Sequence, residues 1–118
     1  MIISRDFLMS HVSVLEPIEV ECPEWGGSVM VERAVAKKQM DYAALIDKLD
    51  GVNPNISLII TFCVDESGKN LFSEADVEWL ERQPISVINR LARTIAEENG
   101  FTKEIQEATE ENFEKADS

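Results

Sequence analysis

Residues 65–100 constrain the fold of this 118-residue chain more than any other segment does. The segment starts with a polar turn and ends at Gly100, and it contains two stretches of helical sequence separated by Gln83-Pro84. The residue before a proline avoids the helical backbone region, so one helix has to stop there and another has to begin. We therefore expect a short helix followed by a longer one, with a glycine in the left-handed conformation at the end of the second.

Two local patterns mark the start of the first helix. Ser73 and Asp76 have the spacing of a capping box, in which both side chains accept hydrogen bonds from N–H groups that the first turn leaves unpaired. Phe72 and Val77 flank this cap at the positions of a hydrophobic staple. The two patterns agree, and they predict that the helix begins just after Ser73.

The same segment imitates a calcium-binding loop. With Asp65 at position one, Ser67 occupies position three and Asp76 occupies position twelve. A functional loop needs an oxygen ligand at position five and a glycine at position six, where this chain has Lys69 and Asn70. An ammonium group repels the ion, and the helix cap already accounts for Asp76. We therefore expect no bound metal.

The second helix of the segment is amphipathic. Its apolar residues recur at helical spacing and predict one face that packs on the core: Ile85, Ile88, Leu91, Ala92 and Ile95. Arg90, Arg93 and Glu97 fall on the other face. We expect this helix to be a main element of the domain.

The rest of the chain predicts an α+β domain that is predominantly α-helical. Ser4 can cap a helix over residues 5–9, and apolar alternation on both sides of a Pro/Gly turn predicts an N-terminal β-hairpin over about residues 18–36. Residues 38–49 have helical spacing. The apolar residues 56–64 fit a buried strand or a helix, and their Asn-Pro start favours the helix. We expect a small domain of about five short helices and one hairpin.

The C-terminal residues differ in composition from the rest. We predict one globular domain over residues 1–101 and an acidic tail over residues 102–118, which forms a marginal helix or stays disordered unless bound. With a net charge of −12, the chain repels phosphate backbones, so we expect no nucleic-acid partner. No apolar run is long enough to span a bilayer, and the N-terminus does not resemble a signal peptide. We expect a soluble intracellular protein with no membrane partner.

The sequence does not have the patterns of a catalytic or cofactor site. His11 is the only histidine, and no obvious nucleophile accompanies it. Cys22 and Cys63 match no metal or redox spacing, and we expect them to be buried free thiols. A glycine-rich phosphate loop is also missing. We therefore expect a protein that is not an enzyme and that has no catalytic residues, cofactor or metal.

Exposed apolar groups beside strong negative charge are typical of a protein that covers apolar surface on another protein. Trp25 lies in the hairpin turn, where it either covers the end of the core or faces a partner. Trp79 lies on a different face of its helix from Leu80, and it either packs under the C-terminal tail or stays exposed. The candidate partner-binding residues are Trp25, Trp79, Phe101, Ile105 and Phe113.

Four motifs, in this order, resemble a known family. They are the hairpin VECPEWGGSVMVERAV, the turn VDESGKNLF, the helix start FSEADVEWL and the helix end INRLARTIAEENGF. Together they resemble the tail assembly chaperones of long-tailed phages, of the kind found in lambda-like siphophages. The resemblance covers roughly residues 18–101, and the Pro-Glu-Trp-Gly turn is among its most characteristic parts.

This resemblance implies a non-enzymatic protein of the infected host cytoplasm that is absent from the mature virion. Such a protein binds the tape measure protein, keeps it soluble and helps tail tube subunits assemble around it, in some phages through a longer form made by a ribosomal frameshift. Self-association into a spiral or ring would suit a rod-shaped partner. The alternative is a small acidic adaptor or inhibitor that binds a basic host protein.

Overall fold

The computed structural model describes residues 2–11, 15–33 and 35–100, and over these residues it contains five α-helices and one antiparallel sheet. In chain order the elements are α1 (Arg5–His11), β1 (Ile18–Cys22), β2 (Gly27–Val31), α2 (Ala36–Lys48), α3 (Pro54–Phe62), β3 (Cys63–Val64), α4 (Val77–Glu81) and α5 (Ile85–Glu98). Short 3-10 turns, Pro23–Trp25 and Glu74–Asp76, precede β2 and α4. The predicted α+β fold, predominantly helical with an N-terminal hairpin, is confirmed.

The hairpin forms the N-terminal part of a three-stranded sheet in the order β1-β2-β3. Val20 pairs with Val29, and Cys22 pairs with Gly27 across the turn. Gly26 closes this turn at a φ of 82°, a conformation that favours glycine, and its N–H donates to the carbonyl of Pro23. The second strand ends at Val31, earlier than the predicted hairpin boundary near residue 36, because its pairing with β1 ends at the pair of Ile18 with Val31.

The apolar residues 56–64, which fitted either a helix or a buried strand, form a helix that continues into a short strand. It is helical over α3, where the Asn53 side chain accepts a hydrogen bond from the Asn55 N–H at 2.9 Å and Pro54 opens the first turn. The chain then extends into β3, where Cys63 pairs with Val31 of β2. Every residue of α3 after the proline is buried, so the helix has no polar face from which its period could be recognised.

The apolar face of α5 differs slightly from the predicted one. Ile88 and Leu91 are buried as expected, but Ile85 is 52% exposed because it stands at the very start of the helix, where the core ends. Val87 and Ala96 are buried in addition. The helix packs mainly on α3, so these side chains form the contact between the two most buried helices.

The capping box predicted at Ser73 and Asp76 is present just before α4. An Asp76 carboxylate oxygen accepts a hydrogen bond from the Ser73 N–H at 2.8 Å, and Ser73 Oγ accepts one from the Ala75 N–H at 3.3 Å. Phe72 and Val77 are both half-buried against the core, as expected for a staple. The break before Pro84 and the left-handed Gly100 after α5 are also as predicted.

Asp65 organises the polar turn that precedes this cap. Its Oδ1 accepts hydrogen bonds from the Ser67 N–H at 2.8 Å, the Ser67 hydroxyl at 2.6 Å and the Lys69 N–H at 3.1 Å. These bonds, that from the Ser67 side chain above all, lower the pKa of the Asp65 carboxyl. Across the described ranges, no three His, Cys, Asp or Glu residues converge as metal ligands would. The carboxylate therefore closes a turn.

The two isoleucines at the start of α5 give a matched test of this packing. We expect Ile88→Ala to lower the free energy of unfolding by about 2–5 kcal/mol, because it leaves a cavity in the core. We expect Ile85→Ala to cost less than about 1 kcal/mol, because that side chain is already half in water. Urea unfolding followed by circular dichroism measures both. Equal losses would show that the face of α5 is assigned incorrectly.

The turn at Asp65 gives a pH-dependent prediction. Because its folded pKa lies below the ordinary value of about 4, its stabilising effect is present above that pH and is lost as the pH falls through the folded pKa. We expect Asp65→Ala to melt at a lower temperature than the unmodified chain at pH 7, and the gap to narrow toward pH 3. Glu66→Ala, which changes an adjacent exposed carboxylate, is the control. A gap that does not change with pH would contradict the prediction.

Candidate partner-binding surface

Three aromatic rings from separate parts of the chain meet at one place. Trp25 comes from the hairpin turn, Phe72 from the loop after β3 and Trp79 from α4. The ring centroids are 5.8 Å apart for Trp25–Phe72, 5.6 Å for Trp25–Trp79 and 6.0 Å for Phe72–Trp79. These separations are within the range in which aromatic rings attract one another. We call these three residues the aromatic cluster.

Local structure fixes each ring of the aromatic cluster. The 3-10 turn that contains Trp25 is closed by Gly26, and the capping box holds the chain between Phe72 and Trp79. The indole N–H of Trp25 donates to Gln83 Oε1 at 3.0 Å, and the Gln83 amide donates in turn to the Trp79 carbonyl at 3.3 Å. Gln83 therefore ties the hairpin turn to the end of α4.

The three rings of the aromatic cluster differ in their exposure to water. Trp25 and Phe72 are half-buried and pack against the core, so Trp25 has the covering role that was one of its two predicted alternatives. Trp79 is 48% exposed. An indole that is held in place by neighbouring rings and half open to water is the kind of side chain that anchors protein interfaces. Its orientation is set before any partner arrives.

Two ion pairs involve residues close in sequence to the aromatic cluster. Glu24, next to Trp25, accepts a hydrogen bond from Arg90 of α5 at 2.9 Å, and this bond lowers the pKa of the Glu24 carboxyl. Lys48 pairs with Glu74 at 2.8 Å just before α4. Exposed pairs of this kind contribute little to stability, because water and salt screen them. They place charged groups of both signs at the edge of an apolar centre.

Phe72 also lines a groove of about 540 Å³. Its lining includes Lys38, Leu45, Thr61 and Glu74 besides Phe72 itself. Lys38 Nζ donates to the Thr61 carbonyl at 3.0 Å, so one wall is held by a bond between α2 and the end of α3. Phe72 therefore belongs both to the groove and to the aromatic cluster, so the two features adjoin at this residue.

The N-terminal helix presents a second apolar surface. Ser4 caps α1, as predicted, by accepting a hydrogen bond from the Phe7 N–H at 3.2 Å, and none of the seven residues of the helix is buried. The exposed apolar side chains in and beside it are Ile2, Ile3, Phe7, Leu8 and Met9. His11 stacks on Phe7 with ring centroids 4.4 Å apart, so its nearest ring neighbour is apolar.

The two cysteines are buried free thiols, as predicted. Burial raises the pKa of the Cys63 thiol to about 12, and nearby Cys22 adds to the effect. A thiol with such a pKa is protonated at neutral pH and is a poor nucleophile. In the described part of the chain, no helix combines the length and the apolar character needed to cross a membrane.

The structure brings together two of the five candidate partner-binding residues, Trp25 and Trp79. Phe101, Ile105 and Phe113 lie outside the described residues. Sequence reasoning missed the third ring, Phe72, because its place before the cap was explained by a local staple. The aromatic residues beside polar turns were the sequence signal for such a cluster. Contact between their rings depends on tertiary packing, which the sequence does not show.

Comparisons with known proteins agree with this geometry at the level of fold. No protein-family model matches the chain, and no curated protein matches it. A solved structure, that of the bacteriophage HK97 tail assembly chaperone, superposes with a TM-score of 0.52. The match has 16% sequence identity and covers 80% of this chain and 90% of the HK97 chain. The resemblance found in the residues is therefore confirmed as a similarity of fold to a phage tail assembly chaperone.

Proposed function

We propose that this protein is a non-enzymatic phage tail assembly chaperone, which binds and solubilises the tape measure protein and helps tail tube subunits assemble around it. The observation that carries the proposal is the similarity of fold to the HK97 tail assembly chaperone over most of both chains. The four sequence motifs support it independently of the fold. Within this proposal the protein acts in the host cytoplasm during infection and is absent from the mature virion.

The aromatic cluster and the adjoining groove are the proposed binding surface for the tape measure protein. A long amphipathic helix needs its apolar stripe covered, and a half-exposed Trp79 beside a groove lined by Leu45 and Phe72 can bury several of its side chains. Many copies along one filament add avidity to a modest affinity at each site. The net charge of −12 keeps such an assembly in solution by mutual repulsion.

Self-association into a spiral or ring is part of the same proposal. The exposed apolar residues of α1 support it, since Phe7 and Leu8 are each 39% exposed and Met9 is 67% exposed. Head-to-tail contacts between copies continue along a rod-shaped partner. Contact with the tail tube protein, through a frameshifted longer form, belongs to the proposal as an expectation from the resemblance.

Co-expression with segments of the tape measure protein of the same phage tests the proposed surface. We expect the unmodified chain to keep these segments soluble and Trp79→Ala to weaken binding about tenfold or more, because the anchor of the surface is lost. Met40→Ala is the matched control, since Met40 is an exposed apolar residue of α2. Calorimetry and the soluble fraction measure the effect. Equal binding by Trp79→Ala, or insoluble segments with the unmodified chain, would contradict the proposal.

The dependence of binding on salt separates this proposal from an acidic adaptor or inhibitor of a basic host protein. Exposed carboxylates such as Glu19 and Glu21 on the outer face of β1 would favour the adaptor. A chaperone held by apolar contacts should lose less than about threefold in affinity between low and high salt, whereas binding through charges should fall by about tenfold or more. Titrations at several ionic strengths decide between the two.

A further inference from the structure

The outer edge of β1 is unpaired among the residues that the structure describes. β1 stands at one end of the strand order β1-β2-β3, so only one of its sides pairs with another strand. No described backbone group bonds to its other side. The opposite edge of the sheet, β3, is two residues long, and an isolated bridge from Val64 to Asn70 covers part of it. The edge of β1 is therefore the longer of the two places where this sheet can take another strand.

The hairpin turn determines which backbone groups lie on this edge. Paired residues of an antiparallel ladder alternate between pairs that exchange two hydrogen bonds and pairs that exchange none. Cys22 and Gly27 close the turn. If they were an unbonded pair, the bond on their turn side would need the N–H of residue 23, and Pro23 has no N–H. Cys22 is thus a bonded position, so the alternation directs the N–H and C=O groups of Glu19 and Glu21 away from β2, toward the open edge.

The side chains beside these groups differ between the two faces of the sheet. Ile18 and Val20 pack toward the core and are half-buried, so part of each stays in contact with water. Glu19 and Glu21 lie on the opposite face, where they are exposed and where their neighbours across the ladder carry no charge. Neither carboxylate forms an ion pair with a described residue. A strand laid on this edge meets apolar surface on one face and two unpaired negative charges on the other.

The edge is poorly suited to a second copy of itself. Outward groups occur at every other residue, so on the same edge of another copy they belong to Glu19, Glu21 and the flanking residues Pro17 and Pro23. Pairing with Glu19 or Glu21 of the copy puts like charges directly opposite one another, which is destabilising. Pairing with either proline loses a hydrogen bond, because proline has no N–H. Lysine or arginine at alternate positions of a different strand forms opposite-charge pairs with both glutamates instead.

We propose that the outer edge of β1 is a second protein-binding site, which takes an extended segment of another protein as a fourth strand of the sheet. The segment alternates Lys or Arg, placed opposite Glu19 and Glu21, with apolar residues that cover the exposed parts of Ile18 and Val20. Backbone hydrogen bonds hold the segment, and the alternation of its side chains selects it. The flanking prolines limit the site to the five residues of β1. The site uses no residue of the aromatic cluster and does not rest on the proposed function.

Two synthetic peptides of equal charge test this selection. The probes are TKVKVKT, in which the lysines alternate, and TKKKVVT, in which they are grouped, both with blocked ends. We expect the alternating peptide to bind the full chain about tenfold more tightly at about 0.15 M salt, because only this peptide can place lysines opposite both glutamates while it pairs as a strand. Equal binding would mean that a chain of net charge −12 attracts any basic peptide. That result, or no binding of either peptide, would overturn the proposal.

Backbone methylation separates strand addition from attraction between side chains. Every register that places two lysines of TKVKVKT opposite Glu19 and Glu21 uses its middle lysine, whose N–H then donates to the edge. We expect N-methylation of this lysine to weaken binding about tenfold, because it removes a hydrogen bond. N-methylation of the neighbouring valine, whose N–H points away from the edge, is the matched control. Equal losses for the two methylated peptides would contradict strand addition.

Two pairs of substitutions test the charges of the site. Glu19→Gln with Glu21→Gln keeps the pairing with β2 and should lower the affinity for TKVKVKT about tenfold, because both ion pairs are lost. Glu66→Gln with Glu81→Gln removes the same charge from exposed positions elsewhere and should change the affinity less than about twofold, because salt screens distant charges. Equal effects of the two pairs would show that net charge alone attracts the peptide, against the proposal.

Amide hydrogen exchange of the full chain locates the contact. In the free chain the Glu19 and Glu21 amides should exchange quickly, whereas the Val20 amide, which bonds to β2, should exchange slowly. Saturation with TKVKVKT should slow the two glutamate amides about tenfold or more and leave that of Val20 unchanged. Slow exchange of the glutamate amides in the free chain would show that the edge is already covered. Bound peptide that leaves them fast would show a contact elsewhere, and either result would overturn the proposal.

Discussion

The burial of α3 on all sides is the constraint on which the rest of the structure depends. All residues from Asn55 to Phe62 are buried, with α2 on one side, α5 on the other and β2 beyond its C-terminal end. A helix without a polar face cannot persist in water unless other elements surround it. The Ser57 hydroxyl has no hydrogen-bond partner among the described residues, whereas the Thr61 hydroxyl donates to the Ser57 carbonyl at 2.8 Å. The Asn55 side chain donates to the Asn89 side chain of α5 at 2.9 Å. That bond also fixes how the two helices are aligned.

The candidate surface follows from this central helix in a few steps. The chain leaves α3 through β3, and the Leu71 N–H donates back to the Cys63 carbonyl at 3.0 Å, which sets the position of Phe72. The capping box then turns the chain into α4 and brings Trp79 beside Phe72. The hairpin, paired to β3, supplies Trp25. The three rings of the aromatic cluster are thus brought together by segments that pack on the core.

Much of this architecture could be predicted from the sequence because it depends on neighbouring residues. The capping box at Ser73, the break at Pro84 and the hairpin turn are local, and each was confirmed. The predicted face of α5 was wrong at Ile85, since only tertiary structure shows where a core ends. The aromatic cluster depends on contacts between distant segments, so the sequence identified two of its rings as candidates but not their meeting with Phe72. The boundary between residues 101 and 102 stays a prediction.

The compactness of the core has a consequence for how different two sequences of this fold can be. Twenty of the described residues are buried, and eight of these are consecutive in α3, so few positions have to keep their size and polarity. Exposed positions away from the caps and turns can be replaced at little cost in stability. A shared fold at 16% sequence identity is compatible with so small a set of constrained positions. A domain built around one buried helix can therefore keep its fold while most of its surface positions differ from one protein to another.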